Sequence, residues 1–213
     1  MTVKACIFDF DGTVIDSEKY HYKAWREVAN AIGTDMSYEE YLPFKSAGRQ
    51  IVIPYLFKKA GKTLTDELYE KYHNLRQERI LIALSELNEN DIMPGLLDYV
   101  SLLKFKGVKL AIASSSAAAH VTAKRFNIFG LFDAFIDGES GLPNKPAPDL
   151  FLAAAKMLGV SPEDCAVFED SVNGLRASKN AGMKVIGFQT HFTDIADRVI
   201  DDFLSASLDT VTF

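Results

Sequence analysis

Two aspartates, Asp9 and Asp11, stand two residues apart directly after the apolar residues 5–8. In an extended strand such side chains point the same way, about 7 Å apart, so both carboxylates can face one small ligand. Gly12 permits a sharp turn and a close backbone approach to that ligand. Carboxylates repel a phosphate, so the pair suits one only if a divalent cation such as Mg²⁺ bridges them. The alternative interpretation is a strand that simply ends in an Asp-Gly turn.

The bulk properties describe an ordinary globular chain. It has 213 residues, of which 48% are hydrophobic and 24% charged, enough for one large domain or one domain with an insertion. The net charge of −6 argues against non-specific binding to nucleic acid or to anionic membranes. With no signal-peptide pattern and no membrane-spanning apolar run, we expect a soluble cytoplasmic protein, and we expect a monomer. Cys6 and Cys165 lie in apolar runs without metal-type spacing, so we expect both to be buried.

Residues 17 to 88 predict a block of helices. Ser17 is an expected N-cap, the apolar stripe from Tyr20 to Ile32 has helical spacing, and Gly33 ends the helix. Further helices are predicted over 38–44, 49–60 and 65–87. Pro54 is expected to kink or break the helix predicted at 49–60, because proline cannot donate the helical hydrogen bond.

From Pro94 onward, the pattern alternates between helix and short apolar strand. We predict strands at 3–8, 108–113, 134–136, 165–168 and 183–188, and helices at 95–106, 117–126, 148–158 and 172–181. Such alternation favours an α/β fold, a doubly wound parallel-sheet (Rossmann-like) core with helices on both faces. The helical block is then an insertion after the first strand. We therefore predict a core formed by residues 1–15 and 93–213 and an inserted helical cap formed by residues 16–92.

Ligands of open α/β sheets bind beyond the carboxyl ends of the strands, which singles out the polar residues there. The chain places acids after the first, third and fourth predicted strands and three serines after the second; these residues are Asp9, Asp11, Ser114, Ser115, Ser116, Asp137, Glu169 and Asp170. The serine hydroxyls and the free amides of the following helix could form a neutral cradle for an anion. A serine that only caps the helix is the alternative.

Two further positions carry charge near this edge. Lys145 lies in a proline-rich loop, where it could offset phosphate charge and stabilise the ionised form of Asp9. The alternative interpretation of Lys145 is a solvated lysine in a loop. Glu169 and Asp170 are adjacent acids, which are costly at one strand end unless a cation is present. In the alternative interpretation, one of these two acids only caps the next helix.

Taken together, these segments resemble the haloacid dehalogenase superfamily, specifically its β-phosphoglucomutase-like branch of small phosphatases and mutases. The matching segments are residues 8–13, 113–116, 145–149, 169–171 and 173–174, and the resemblance covers essentially the whole chain. It implies a Rossmann-like core with a helical cap, Mg²⁺ as cofactor, and a small phosphorylated metabolite as the partner.

The resemblance also implies roles for residues of the core. Asp9 would be the nucleophile that forms an aspartyl-phosphate, and Asp11 the general acid-base. Ser114 and Lys145 would bind the transferring phosphoryl group. The metal would be held by Asp9, by the backbone carbonyl of Asp11, and by Asp170 with Glu169 close by.

Residues of the predicted cap would contact substrate, together with Ser115 and Ser116 of the core. Glu18, His21 and Trp25 match the first helix of the family's cap, and His21 could orient Asp11; an ordinary half-buried histidine is its alternative. Lys45 and Arg49 flank residues 46–48. Arg49 could bind a second substrate anion in a bidentate manner. The alternative for Arg49 is an exposed arginine at a helix start.

The predicted function is a Mg²⁺-dependent phosphatase that hydrolyses a small sugar phosphate or polyol phosphate. The mutases of the resembling branch carry Lys-Asn after the Ser-x-Ser segment, whereas this chain has Ala117 and Ala118. A β-phosphoglucomutase-type sugar phosphomutase is therefore the second hypothesis. A non-enzymatic phospho-receiver module is a remote third, since receiver domains are about half this length and have no helical insertion.

Overall fold

Six parallel strands form one sheet in the computed structural model, which describes residues 3–45, 47–190 and 192–213. In chain order they are β1 (Ala5–Phe8), β2 (Lys109–Ala113), β3 (Ala134–Ile136), β4 (Cys165–Glu169), β5 (Lys184–Phe188) and β6 (Arg198–Ile200). Their order in the sheet is β3-β2-β1-β4-β5-β6, and every neighbouring pair is parallel. This order reverses direction beside β1, and such reversal points are where open α/β sheets bind ligands.

The helices fall between these strands and within the insertion. They are α1 (Glu18–Ile32), α2 (Tyr38–Tyr41), α3 (Arg49–Lys59), α4 (Asp66–Leu84), α5 (Leu96–Phe105), α6 (Ala119–Arg125), α7 (Asp149–Leu158) and α8 (Val172–Asn180). Among the described residues, no helix combines the length and the apolar character that crossing a bilayer requires.

Alternate residues of the central strands pack on opposite faces of the sheet. On one face, Ala5 and Ile7 of β1 join a buried cluster with Phe151 of α7 and Ala177 of α8. On the other face, the ring of Phe8 stacks on Phe168, which in turn meets Tyr99 of α5 edge-on. Apolar side chains on both faces require helices on both faces, so the prediction of a doubly wound parallel sheet is confirmed.

The chain divides into two compact units, Met1–Asp16 with Asn88–Phe213 and Ser17–Leu87. The first unit holds the sheet and α5 to α8. The second unit is helical, and its core joins α1, α3 and α4 through a buried apolar cluster that includes Val28, Ile53 and Tyr72. The catalytic and cap roles that the sequence assigned to residues 1–15 with 93–213 and to residues 16–92 remain predictions.

Most of the helices and strands predicted from the sequence lie within a few residues of their observed bounds. Helix α1 ends at Gly33 in the left-handed conformation, as predicted, but the Ser17 side chain makes no capping hydrogen bond. Helix α3 continues through Pro54, so of the predicted kink or break the break is wrong. Strand β6 was not predicted, since only Val199 and Ile200 supply apolar character and the strand lies half-exposed at the sheet edge.

Both cysteines are free and buried, as predicted. Burial raises the pKa of the Cys6 thiol, and burial also raises the pKa of Cys165 to about 11. A thiol with a raised pKa holds little of the reactive thiolate at neutral pH. Cys6 and Cys165 therefore serve packing on either side of the sheet.

Candidate active site

The parallel pairing of β1 and β4 brings Asp9 and Glu169 to the same level of the sheet. Phe8 is in register with Phe168, and the amide of Asp9 donates to the Phe168 carbonyl at 2.9 Å. Asp9 therefore follows the end of β1 directly beside Glu169, the last residue of β4. Both residues are buried, at 2% and 0% exposure. Two carboxylates removed from water in this way need positive charge nearby.

Lys145 supplies that charge. Its Nζ lies 2.5 Å from Oδ1 of Asp9 and 2.6 Å from Oε2 of Glu169, and its side chain is fully buried. The loop that carries it is held by two hydrogen bonds, one within the turn from Ala147 to the Asn144 carbonyl and one from the Asn180 side chain to the Pro146 carbonyl. Lys145 is therefore a fixed bridge between two buried carboxylates, and its alternative as a solvated loop lysine is excluded.

The buried charges shift the pKa values of Asp9 and Lys145. Burial raises the pKa of Asp9 and the Glu169 carboxylate raises it further, while the Lys145 ammonium acts in the opposite direction. Burial alone would lower the pKa of Lys145, but the neighbouring Asp9 and Glu169 carboxylates outweigh it and raise that pKa. Lys145 therefore stays charged at neutral pH. Asp9 needs additional positive charge to be held as a carboxylate.

Glu169 also anchors the start of α8. Its Oε1 accepts from the amide and the hydroxyl of Ser171 at 3.0 and 2.8 Å, while its Oε2 accepts from Lys145. The Ser171 hydroxyl in turn accepts from the amide of Gly174, and it caps the helix. A Cβ at position 174 would overlap the Glu169 carboxylate, so a glycine is required there. Both oxygens of Glu169 thus have protein partners.

Asp9, Glu169 and Asp170 form the acidic group that could hold a metal ion. One carboxylate oxygen from each lies within 4.8 Å of the others, and all three residues are buried. Oδ2 of Asp9 is buried and accepts no hydrogen bond from the residues that the structure describes. The three carboxylates outnumber the single ammonium of Lys145 by two charges. Oxygen ligands with this charge excess fit a divalent cation such as Mg²⁺.

Gly12 brings the loop after β1 against this acidic group. Its φ is +88°, and its amide donates to the Ile15 carbonyl at 2.8 Å. A Cβ on Gly12 would overlap the Asp170 carboxylate, lying 3.3 Å from even its farther oxygen. Only glycine combines this backbone conformation with such a close approach. The sharp turn that the sequence predicted here therefore sets the position of the chain beside Asp170.

Asp11 does not lie in an extended strand with Asp9, as the spacing of the two residues predicted. Strand β1 ends at Phe8, and the Asp11 backbone instead forms a bridge with Ile15. Its Oδ2 lies 3.5 Å from the hydroxyl of Ser114, at the end of β2. The Asp11 side chain is not part of the acidic group formed by Asp9, Glu169 and Asp170. Asp11 and Ser114 therefore meet where β1 and β2 end.

The serine segment after β2 is a tight turn. Ser114 is buried, and its hydroxyl accepts from the amide of Ser116, whose own hydroxyl accepts from the amide of Ala118. Oγ of Ser115 is buried and has no hydrogen-bond partner among the described residues. Helix α6 begins only at Ala119, two residues later than predicted. Of the helix amides expected to bind an anion, that of Ala118 thus contacts a serine hydroxyl.

Four more candidate residues lie in the helical unit in two polar groups; these residues are Glu18, His21, Trp25 and Lys45. In one, Glu18 pairs with Lys45 and accepts from the hydroxyl of Tyr38 at 2.5 Å. In the other, Nη2 of Arg76 lies 3.0 Å from Nδ1 of His21, and its guanidinium lies over the Trp25 ring at 4.7 Å from the centroid. Arg76 is buried and was missed from the sequence, although its three-residue spacing from His73 on α4 is a helical-face signal.

Arg49 is the first residue of α3 and contacts α4. Its Nη1 lies 3.0 Å from Nε2 of His73 and 3.2 Å from Oε1 of Gln77. Neither His73 nor Gln77 was singled out from the sequence. Arg49 makes no ion pair with a carboxylate of the described residues, whereas Lys45 is paired with Glu18.

Comparison with known proteins assigns the family. A model of haloacid dehalogenase-like hydrolases matches residues 3–182. The chain is 34% identical over 187 residues to the β-phosphoglucomutase of Bacillus subtilis (strain 168), with 87% of this chain and 83% of that protein covered. It is also 34% identical over 191 residues to hexitol phosphatase B of Escherichia coli (strain K12), with 86% and 82% covered.

Solved structures agree with this assignment. The β-phosphoglucomutase of Clostridium difficile superposes with a TM-score of 0.90 at 27% identity, covering 97% of this chain and 94% of that one. The chain belongs to the haloacid dehalogenase-like hydrolase family. It is an enzyme, as the resemblance implied. The hypothesis of a non-enzymatic receiver module is therefore rejected.

Proposed function

We propose that this enzyme is a Mg²⁺-dependent phosphatase that hydrolyses a small sugar phosphate or polyol phosphate through an aspartyl-phosphate. The observation that carries the proposal is the environment of Asp9. Its Oδ1 is held by Lys145 at 2.5 Å, and its Oδ2 is buried without a hydrogen bond from the described residues. One carboxylate oxygen is thus fixed, and the other has a lone pair for attack on phosphorus.

In the first step, an oxygen of the Asp9 carboxylate attacks the phosphorus atom. A bond forms between Asp9 and phosphorus as the bond from phosphorus to the ester oxygen breaks, and the leaving alkoxide takes a proton from the Asp11 carboxyl. In the second step, Asp11 accepts a proton from the water that attacks the aspartyl-phosphate. Inorganic phosphate leaves and the Asp9 carboxylate is regenerated. Two such displacements replace one difficult hydrolysis.

Positive charge and alignment come from the residues around Asp9. Lys145 shields the charge of the phosphoryl oxygens, and the Ser114 hydroxyl, 3.5 Å from Asp11, keeps the acid-base near the reacting group. Asp9 and Asp170, with the Asp11 carbonyl, would hold the cation, and Glu169 would act mainly through its contacts with Lys145 and Ser171. Bound Mg²⁺ would supply charge neutralisation to the phosphoryl group.

Relatives with equal identity include both a mutase and a phosphatase, so the choice rests on residues of this chain. A mutase must retain a second phosphate while its sugar reorients. Ala117 and Ala118 provide neither a cation nor a side-chain amide after the serine segment. Arg49 and Ser116 remain as binding groups, together with Ser115, Glu18, His21, Trp25 and Lys45. This set favours release of the product over its retention.

A phosphate-release assay tests the proposal directly. With a panel of hexose and polyol monophosphates and Mg²⁺, we expect multiple turnovers on at least one compound. Removal of the cation with a chelator is expected to abolish turnover, because the acidic group would then lack the charge that holds Asp9 ionised, and added Mg²⁺ should restore it. Full activity in excess chelator would contradict the requirement for a metal.

The mutase hypothesis has its own measurement. The enzyme is supplied with β-glucose 1-phosphate, Mg²⁺ and a priming amount of glucose 1,6-bisphosphate, and both glucose 6-phosphate and free phosphate are followed. We expect free phosphate to accumulate faster. Formation of glucose 6-phosphate ahead of free phosphate would reverse the order of the two hypotheses.

A further inference from the structure

Asp137 is the acid after the third predicted strand, and the proposed mechanism gives it no role. Its Oδ1 accepts from the amide of Glu139 at 3.0 Å and so caps the short 3₁₀ helix Gly138–Ser140. Its Oδ2 lies 4.0 Å from Nδ1 of His120 on α6, whose ring packs against Phe135 of β3 with 5.3 Å between the centroids. Asp137 therefore fixes the conformation of the loop after β3 and joins it to α6.

The loop after β3 is bonded to the serine segment after β2 at two places. The amide of Ser114 donates to the Ile136 carbonyl at 2.9 Å, which extends the pairing of β2 and β3 by one residue. The amide of Gly138 donates in the opposite direction, to the Ser116 carbonyl at 3.3 Å. These two hydrogen bonds lie on either side of Asp137 along the chain. The position of the serine segment thus depends on the loop that Asp137 fixes.

Gly138 lies so close to the serine segment that a side chain cannot fit between them. A Cβ at this position would lie 2.6 Å from the carbonyl oxygen of Ser115 and 2.8 Å from the amide nitrogen of Ala117. Both are backbone atoms, so neither can rotate away as the end of a side chain could. Gly138 does not have the positive φ that favours glycine. Glycine is therefore required here by the close approach of the two backbones.

We propose that Asp137 and Gly138 are positioning residues, which hold the serine segment in the place where it binds the transferring phosphoryl group. The inference rests on the proposed function and extends it to residues outside the segments that carry the family resemblance. The Ser114 hydroxyl lies 3.5 Å from Oδ2 of Asp11, and Oγ of Ser115 is buried without a hydrogen-bond partner among the described residues. Displacement of the segment would move both hydroxyls away from the phosphoryl group.

Gly138→Ala is expected to lower kcat/KM for p-nitrophenyl phosphate by about 10²-fold, the usual cost of moving a binding group by about 1 Å. The dissociation constant for inorganic phosphate, measured by calorimetry with Mg²⁺, should rise by about tenfold, as for the loss of one charge-assisted hydrogen bond.

Gly130→Ala is the matched control, because a Cβ on this exposed glycine would meet no atom of the described residues within 4 Å. It should keep both values within about twofold of the wild type. All proteins are compared well below their melting temperatures, with the folded state verified by circular dichroism. A variant that was only less stable would then keep the wild-type values.

Two variants of Asp137 test the loop even if Gly138→Ala fails to fold. Asp137→Ala removes the acceptor for the Glu139 amide, so kcat/KM should fall by about fivefold, the size of a lost helix-cap contact. Asp137→Asn keeps an oxygen at the same place and should restore kcat/KM to within about twofold of the wild type. Equal losses in the two variants would assign the effect to the charge of Asp137 and would contradict its role as a cap.

The backbone amide resonances of Ser114, Ser115 and Ser116 report on the position of the segment without any turnover. We expect them to shift in Gly138→Ala and to stay in place in Gly130→Ala. Two results would overturn the inference: a folded Gly138→Ala protein with the kcat/KM of Gly130→Ala, or an Asp137→Ala protein with that of the wild type. The proposed function fails in a different way, if the wild-type enzyme releases no phosphate from any substrate with Mg²⁺. The serine resonances still measure the positioning in that case.

Discussion

Asp9→Asn is expected to reduce phosphate release by on the order of 10⁴-fold or more, because the amide is a poor nucleophile and replaces the carboxylate proposed to attack phosphorus. The fold should survive. Asparagine has the shape of aspartate, and burial already disfavours the charged form of Asp9. Turnover is measured by phosphate release, and the melting temperature reports on the fold.

Asp98→Asn is the matched control for this variant. Asp98 is an exposed acid in the first turn of α5, and its replacement changes the net charge by the same amount. We expect it to keep wild-type turnover. If Asp9→Asn retained multiple turnovers at a rate close to that of Asp98→Asn, Asp9 would not be the nucleophile.

Lys145→Met should impair both stability and activity, since it removes the one ammonium that bridges Asp9 and Glu169. Breaking a buried pair by deleting one partner costs about 3–5 kcal/mol in the free energy of unfolding. Loss of the charge at the phosphoryl group should lower kcat by about 10²–10³-fold. The loss of stability should shrink as the pH falls, because protonation of Asp9, whose pKa is already raised, removes one of the two uncompensated charges.

Lys179→Met provides the contrast. Lys179 pairs with Asp197 at 2.5 Å, but both side chains are partly solvent-accessible, at 40% and 31% exposure. An exposed pair contributes about 0–1 kcal/mol to stability, so this variant should unfold close to the wild type and keep its activity. Chemical denaturation and phosphate release measure both effects. A Lys145→Met protein as stable and as active as Lys179→Met would refute a bridging role for Lys145.

The sheet and the acidic group could be predicted because their signals are local. Apolar runs such as residues 5–8 and 165–168 identify buried strands, and parallel strands bring their carboxyl ends together, which is why Asp9 and Glu169 could be expected to meet. The position of Lys145 in the site was harder to predict from the sequence. Its proline-rich context indicated a fixed loop, but nothing local shows that Nζ reaches two carboxylates.

Other features depend on packing that no short segment encodes. Strand β6 has little apolar character of its own and pairs only because β5 offers an open edge. The contact of Arg49 with His73 and Gln77 depends on how α3 packs on α4, and these residues are 24 and 28 positions apart along the chain. The pairing of Asp11 with Ser114 follows from the tight loop after Phe8, which the strand-based expectation did not include. The roles of these residues in catalysis remain predictions.

The central claim is that Asp9 itself becomes phosphorylated, and an analogue of the phosphoryl group tests it most directly. Trifluoroberyllate forms a stable mimic of an aspartyl-phosphate, and a crystal structure of the enzyme with Mg²⁺, beryllium and fluoride would show which atom it bonds. We predict beryllium bonded to a carboxylate oxygen of Asp9, with Lys145 against the fluorides. Beryllium bonded to another side chain, or absent under conditions that support full activity, would contradict the mechanism.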